Sequence, residues 1–405
     1  MIPVNQPVLA GNEKKYLCEC IDTEWISSEG PFVKRLESGM AALTGREHGI
    51  AVCNGSVALD VALAALNIGP GDEVILPAFT IISCGAAIVR AGATPVVVDA
   101  EAQTWNLDVS LVEKLLTPRT KAIMAVHIYG LPVDMDPLLE LAGRHGLKVI
   151  EDAAEVIGQT CRVRGTGPRD GGTAGQQTTD DGTTDYGTTG QQAAPCSMLS
   201  PCGSFGDVST VSFYPNKHIT TGEGGMVLVN DSALADRCRS LRNLCFDKER
   251  RFMHEELGWN FRMSNMQAAV GVAQLERIEE TVKQKRRIGG WYNDLLRDLP
   301  GIELPLAATD YAENIYWVYG VVLGEGVKFD AREAIKRMRA KGVDCRHFFW
   351  PMHRQPVFER MGLFAGVSCP VAERLAHRGF YLPSGLALTR EQAEQSAQAL
   401  REILA

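Results

Sequence analysis

The stretch VSFYPNKHITTGEGGMV, residues 211 to 227, sets one amine, that of Lys217, between a serine-bearing apolar run and a bend of small polar residues. Most lysines are solvated surface charges. This one stands among groups that suit anion binding and would keep an amine close to a carbonyl, as covalent amine catalysis requires. Upstream, CNGSVALD places Gly55 and Ser56 directly ahead of a helix-like run. The first amides of a helix are free, and its dipole favours a phosphate. Asp152 follows the apolar run LKVI at the carboxyl end of a strand, where parallel sheets bind their ligands.

Alone, each signal is weak: an NGS turn is common, and an acid after a strand often caps a helix. In chain order, with Ser212 five residues before Lys217, they answer the three demands of pyridoxal 5'-phosphate. Gly55, Ser56 and Ser212 would hold its phosphate, Asp152 would keep its ring nitrogen protonated, and Lys217 would be its covalent seat. Lys217 would also act as general acid and base, because desolvation and the cofactor cation favour the neutral amine. The pyridinium itself stores electrons, so no metal is required. Cys18 and Cys20 are too close together, with no second pair beside them, for a zinc site.

Two further polar residues stay open between roles. Glu155, one helical turn after Asp152, either faces the cofactor or favours a helix N-terminus through its charge. His127, at the end of AIMAV, either lines the pocket floor or packs in the interior.

The elements that must position these groups alternate. From Gly55, SVALDVALAALNI is helix-like, DEVILP a strand, CGAAIVRAG a helix and TPVVVDA a strand; SLVEKLL, KAIMAVH, MDPLLELAGRHG and KVIEDAA continue the rhythm. Short apolar strands with helices between them indicate an α/β fold, a mostly parallel sheet covered on both faces. After the lysine, GGMVLVN reads as a strand and DSALADRCRSLRNL as a helix, and long amphipathic patterns follow from Asn265. Strand-like WVYGVVL and a closing helix TREQAEQSAQALREIL fit a smaller α/β domain. The expected division is a large domain over 1–243, then a linking helix and smaller domain over 244–405. From about 165 to 203 a stretch rich in Gly, Thr and Gln, with the echo GTAGQQ and GTTGQQ, carries too few apolar side chains to order itself and is expected as a surface loop.

Composition narrows the partners. With 405 residues, 45% hydrophobic and a formal charge of -8, the chain has the make-up of a two-domain globule. Its 41 basic residues are scattered, which argues against a nucleic-acid partner. No apolar run reaches membrane-spanning length and the first residues lack a secretory pattern, so a cytoplasmic location is the default and no membrane partner is expected. Eleven cysteines, an odd number in apolar or helical contexts, suit reduced thiols.

Seven segments together resemble the DegT/DnrJ/EryC1/StrS family of sugar aminotransferases: DTEWISSEGPFVKRLE, CNGSVALDVALAALNIGPGDEVILPAFT, TPRTKAIMAVHIYGLPVDMDP, KVIEDAAEVIG, SFYPNKHITTGEGGM, GWNFRMSNMQAAVGVAQLE and FWPMH. The resemblance spans nearly the whole chain apart from the Gly/Thr/Gln-rich stretch. It implies the type I fold of pyridoxal-phosphate enzymes, with a seven-stranded sheet, and a homodimer whose active sites lie at the subunit interface. It implies that Asn260, otherwise a plain turn residue, reaches the phosphate in the neighbouring subunit. Trp25 and Ser27, flanked by Ile26 and Ser28, resemble a segment that meets a nucleotide-sugar, although Trp25 reads equally as a core aromatic. Arg346, His347 and His353 lie where phosphates or a hexose would approach, and Arg346 reads equally as a solvated charge. One departure is clear. Where many members carry an aromatic residue after the P-x-x-T turn, PAFTII offers Ile81, which gives apolar contact without stacking.

The implied reaction passes the amino group of L-glutamate, through pyridoxamine 5'-phosphate, to C4 of a nucleotide-linked 4-keto-6-deoxyhexose. A GDP-linked 4-keto-6-deoxymannose is favoured, with UDP- or dTDP-linked sugars as alternatives. Some members with histidine in place of the lysine dehydrate their sugars. Here the lysine is present and His218 merely follows it, so a dehydratase is the lesser expectation.

Overall fold

The computed structural model describes residues 1–164, 197–247 and 249–405. Its strands are β1 (His48–Val52), β2 (Glu73–Pro77), β3 (Thr94–Val98), β4 (Thr120–Val126) and β5 (Lys148–Asp152), then a ribbon of β6 (Thr160–Arg164) and β7 (Ser197–Pro201), then β8 (Val208–Ser212) and β9 (Gly225–Val229). Seven of them form one sheet in the order β1-β9-β8-β5-β4-β2-β3. From β8 to β3 all neighbours are parallel, whereas β9 runs antiparallel to both β8 and β1.

The central strands carry apolar side chains on both faces because helices cover both. On β4, Ala122, Met124 and Val126 enter the core on one face while Ile123 and Ala125 enter the core on the other. The helix Gly55–Ala65 starts where Asn54 accepts a 3.1 Å bond from the Val57 amide, a side-chain cap that fixes where the chain leaves β1. The helix Asn265–Leu275 opens on a full capping box of Ser264 and Gln267. The amphipathic helix Ile278–Leu296 then leads to a four-stranded sheet of β10 (Ile302–Glu303), β11 (Tyr319–Leu323), β12 (Arg346–His347) and β13 (Gly379–Leu382), ordered β10-β11-β13-β12. A third core fills this region, and the N-terminus joins it: the Ile2 amide donates to the Gly342 carbonyl and its own carbonyl accepts from Asp344.

Three readings of the sequence need adjustment. The alternation read from Gly55 onward begins one element too late, because β1, HGIAV, is too short and mixed to show a period. SLVEKLL forms only a four-residue helix and a 3-10 turn, Val109–Val112 and Glu113–Leu115. Of the stretch expected as a loop from 165 to 203, residues 165–196 lie outside the described residues, while Ser197–Pro201 is a strand paired with β6. Among the described residues no helix is long and apolar enough to cross a membrane.

Candidate active site

Because β9 is the reversed strand, β1 and the parallel strands all present their carboxyl ends at one edge of the sheet. A cavity of about 710 Å³ opens there, lined by Gly55, Ser56, Ile81, Asp152, Glu155, Ser212 and Lys217. Residues from positions scattered over most of the chain thus converge.

The end of the cavity at the helix start is built by close approach. A Cβ on Gly55 would stand 2.6 Å from Ser212 Cβ, and one on Gly225 would stand 2.6 Å from the Asn54 carbonyl carbon and 2.8 Å from the Gly55 nitrogen. Only glycine at both places lets the lysine-bearing hairpin lie against the helix start. Asn54 takes up the Val57 amide, and Gly55 and Ser56 line the cavity in the turn whose amides lack helical acceptors. The Ser56 hydroxyl lies 2.8 Å from that of Ser83, which lines the same wall.

Lys217 follows β8 on the loop back to β9. Its amine lies 3.5 Å from Glu155 Oε1 and 3.6 Å from the centroid of the Trp317 ring, with the side chain only 10% exposed. Burial lowers its proton affinity, partly offset by the negative charges of Glu155 and Asp152. The opposing carboxyls move the other way. Burial raises Asp152 above its ordinary value against donors from the Ala154 amide and the Cys84 thiol, at 3.1 and 3.5 Å. Burial likewise carries Glu155 to about 7, although Lys217 and the Tyr129 amide, 2.9 Å from Oε2, favour its charge. A buried amine of lowered proton affinity beside two acids is the electrostatic setting of a proton-handling lysine. His218 does not line the cavity: it is fully buried, neither ring nitrogen has a close hydrogen-bond partner among the described residues, and burial beside Lys285 and Lys217 keeps it neutral.

The sheet separates this chemistry from a second buried network. Glu151, one residue before Asp152, faces the opposite side and receives bonds from His127 Nε2 (2.9 Å), the Gly203 and Phe205 amides (2.6 and 2.8 Å) and Ser209 Oγ (2.8 Å). Arg46 closes the network by donating to Ser209 Oγ and to the Gly203 carbonyl. His127 Nδ1 accepts from the Val133 amide at 3.0 Å, so Nε2 carries the proton it donates to Glu151. Of the two readings of His127, the geometry gives packing: its side chain is wholly enclosed and does not line the cavity.

Other expected residues also stand apart from the cavity. His353 is buried, with Nε2 2.8 Å from Glu373. Arg346 is largely exposed and pairs with Asp344 at 3.5 Å; its strand partner is Tyr381, which does line the cavity. Trp25 is half exposed, with its carbonyl held by Asn265 Nδ2 at 2.6 Å, and the Ser27 carbonyl accepts from the Asn265 amide. Asn260 is exposed and bridges to Asn243. Sequence reasoning missed Ser83, Tyr214, Asn216, Trp317, Phe349 and Tyr381 as cavity residues. Ser83 carried a faint local signal, a hydroxyl at a helix start close after Ile81; Trp317 carried none, since WVYGVVL reads only as a strand.

The donor set fits pyridoxal phosphate. A glycine-only cradle with three serines meets a helix N-terminus at one end, and at the other a buried carboxylate and a buried amine face one space. This fold and site define a pyridoxal-phosphate-dependent aminotransferase. The chain belongs to the DegT/DnrJ/EryC1/StrS aminotransferase family, whose sequence model matches residues 7–401. It is 41% identical over 404 residues to a GDP-perosamine synthase of Caulobacter vibrioides, covering 100% of this chain and 98% of the relative. It is 35% identical to a UDP-N-acetyl-3-dehydro-alpha-D-glucosamine 3-aminotransferase of Acidithiobacillus ferrooxidans, over 92% of this chain and 88% of the relative. The crystal structure of S. venezuelae DesV superposes with a TM-score of 0.81 at 33% identity, covering 97% of this chain and 94% of that one.

Proposed function

We propose that the chain transfers the amino group of L-glutamate to C4 of GDP-4-keto-6-deoxy-D-mannose, giving GDP-perosamine. The observation that carries this reading is the end-to-end 41% identity to a GDP-perosamine synthase, joined to a cavity in which Lys217 faces Asp152 and Glu155. When bound, pyridoxal phosphate supplies the electron sink for moving an amino group between two carbon frameworks. Gly55, Ser56, Ser83 and Ser212 would hold its phosphate, Asp152 would pair with its ring nitrogen, and Lys217 would be its attachment point.

The protein's own part is to hold and move one proton. Lys217 Nζ would take a proton from the amino-acid carbon and hand it to the cofactor in the glutamate half, then run the same transfer in reverse, from the cofactor to the sugar carbon, in the other half; burial lowers its proton affinity and so favours the accepting form. Glu155, 3.5 Å from that amine and carried by burial to about 7, changes its own charge near neutral pH beside it. Trp317, Phe349 and Tyr381 wall the cavity and exclude water.

The same reading makes the working unit a homodimer. Asn260 is exposed, follows the exposed apolar side chains of Phe252, Met253 and Leu257 in the chain, and would complete the phosphate site across the interface. Trp25 and Ser27, outside their own cavity, would contact the sugar nucleotide in the dimer. The test is purified protein with L-glutamate and a panel of GDP-, UDP- and dTDP-linked 4-keto-6-deoxyhexoses, scoring 2-oxoglutarate and the 4-amino sugar. Turnover confined to the UDP- or dTDP-linked sugars would replace the substrate; absence of 2-oxoglutarate with every sugar would overturn the function.

A further inference from the structure

The helix Ile278–Leu296 buries Ile278, Val282, Lys285, Ile288, Tyr292 and Leu296. Their spacing is that of an apolar stripe, and Lys285 stands at its centre, where the pattern calls for a hydrocarbon. Its side chain is 1% exposed, and among the described residues no acid lies within ion-pair distance of it. A buried cation without a counter-ion is costly, so its retention asks for a reason.

The ammonium has two partners, both backbone. Nζ donates to the Trp317 carbonyl and to the Ser384 carbonyl, each at 2.7 Å. Trp317 is the residue whose ring lies 3.6 Å from Lys217 Nζ, and its indole N–H donates at 2.8 Å to the carbonyl of Asn216, the neighbour of Lys217. A continuous path therefore runs from the Lys285 amine, through the Trp317 backbone and ring, to both the backbone and the amine of the lysine segment. Lys285 touches neither the cavity nor Lys217 directly.

We propose that Lys285 is a positioning residue for Lys217: by tying the Trp317 and Ser384 carbonyls together it fixes the indole wall against which the reacting amine rests. This rests on the aminotransferase reading, since the amine must serve two carbon centres from one set of rotamers. Small displacements of a proton-transfer group have large kinetic effects. Burial and the neighbouring charge of Lys217 bring the Lys285 amine to about 7; protonated or neutral, it keeps enough N–H groups for both carbonyls.

The test uses holoenzyme carrying Lys285→Met, Lys285→Arg, Trp317→Phe and the Met/Phe double change, with turnover, the pH midpoint of the bound cofactor's visible absorbance, and thermal unfolding as readouts. Lys285→Met should lower kcat about tenfold with KM for glutamate within about twofold. It should also move the absorbance midpoint by at least about half a pH unit. Lys285→Arg, which can still donate to both carbonyls, should recover both. The double change should be no slower than the worse single one, because both act on one wall. A folded Lys285→Met with wild-type kcat and midpoint, or rate losses that multiply in the double variant, would overturn the proposal. If Lys285→Met does not fold, Trp317→Phe decides: an unshifted midpoint there removes the path. An inactive wild type with every amino acceptor would count against the proposed function instead.

Discussion

Glu151 and Asp152 are consecutive on β5 and equally buried, yet they lead opposite lives. Glu151 is saturated by four donors and supported by Arg46, so although burial pushes its carboxyl up, His127, Arg46 and the Gly203 amide hold it below its ordinary value. Asp152 has an amide and a thiol, and burial wins, so its carboxyl is raised. A one-residue step on a strand reverses the face, and here it separates a closed structural network from an open one. The difference teaches what marks a reactive site in this fold: acids left short of partners, facing a space. Under the proposed function, a cofactor's ring nitrogen would be the further partner of Asp152.

The widest test of that contrast is Lys217→Ala. Turnover should fall at least about 10⁴-fold while the protein stays folded, because the site does not hold the sheet together. Normal turnover would remove the amine from the chemistry. Next, Asp152→Asn should cost about 10³-fold in kcat. The same change should leave the cofactor-free protein at least as stable as wild type at pH 7. A carboxyl raised on folding weakens the native state as pH rises through the window from its ordinary to its raised value, and asparagine escapes that penalty.

Glu151→Gln should do the reverse, losing about 3 kcal/mol at neutral pH because an acceptor-only group with four donors becomes partly a donor. The carboxyl is depressed on folding, so its stabilisation is full above the ordinary carboxylate range and is lost as pH falls through the folded value. Melting curves of wild type and variant should therefore converge in acid. A constant gap down to strongly acidic pH would contradict the assignment. The smallest effect is Ser83→Ala, which should weaken cofactor binding about fivefold, the worth of about 1 kcal/mol for one hydroxyl bond. Equilibrium titration of the apoprotein measures it.

Much of the cavity was legible because its residues sit at ends of elements that announce themselves. Asp152 ends an apolar strand, Gly55 starts a helix, and Ser212 and Lys217 share one hairpin. The Gly-Glu-Gly-Gly bend acquired its reason only in three dimensions, where Gly225 presses on the Asn54–Gly55 peptide. His127 could not be resolved from sequence, because its role depends on the Val133 amide and on Glu151 facing away from the cavity. Trp317 and Lys285 were invisible for the same reason: one looks like any strand aromatic and the other like any helix lysine, and only packing between distant segments joins them to Lys217. The residues expected at the substrate, Trp25 and Ser27, and Asn260, expected at the phosphate, were least legible, since none of them lines the cavity.

The reversed strand β9 also sets a timetable. β1 joins the sheet only through β9, so the turn at Gly55 cannot dock beside Lys217 until residues 225–229 have slotted between β1 and β8. On the ribosome, a chain that has already made its phosphate turn, its strand-end acid and its lysine still has no place to keep a cofactor. β9 admits the phosphate turn, and the cavity is walled only once the chain has also supplied Trp317, Phe349 and Tyr381.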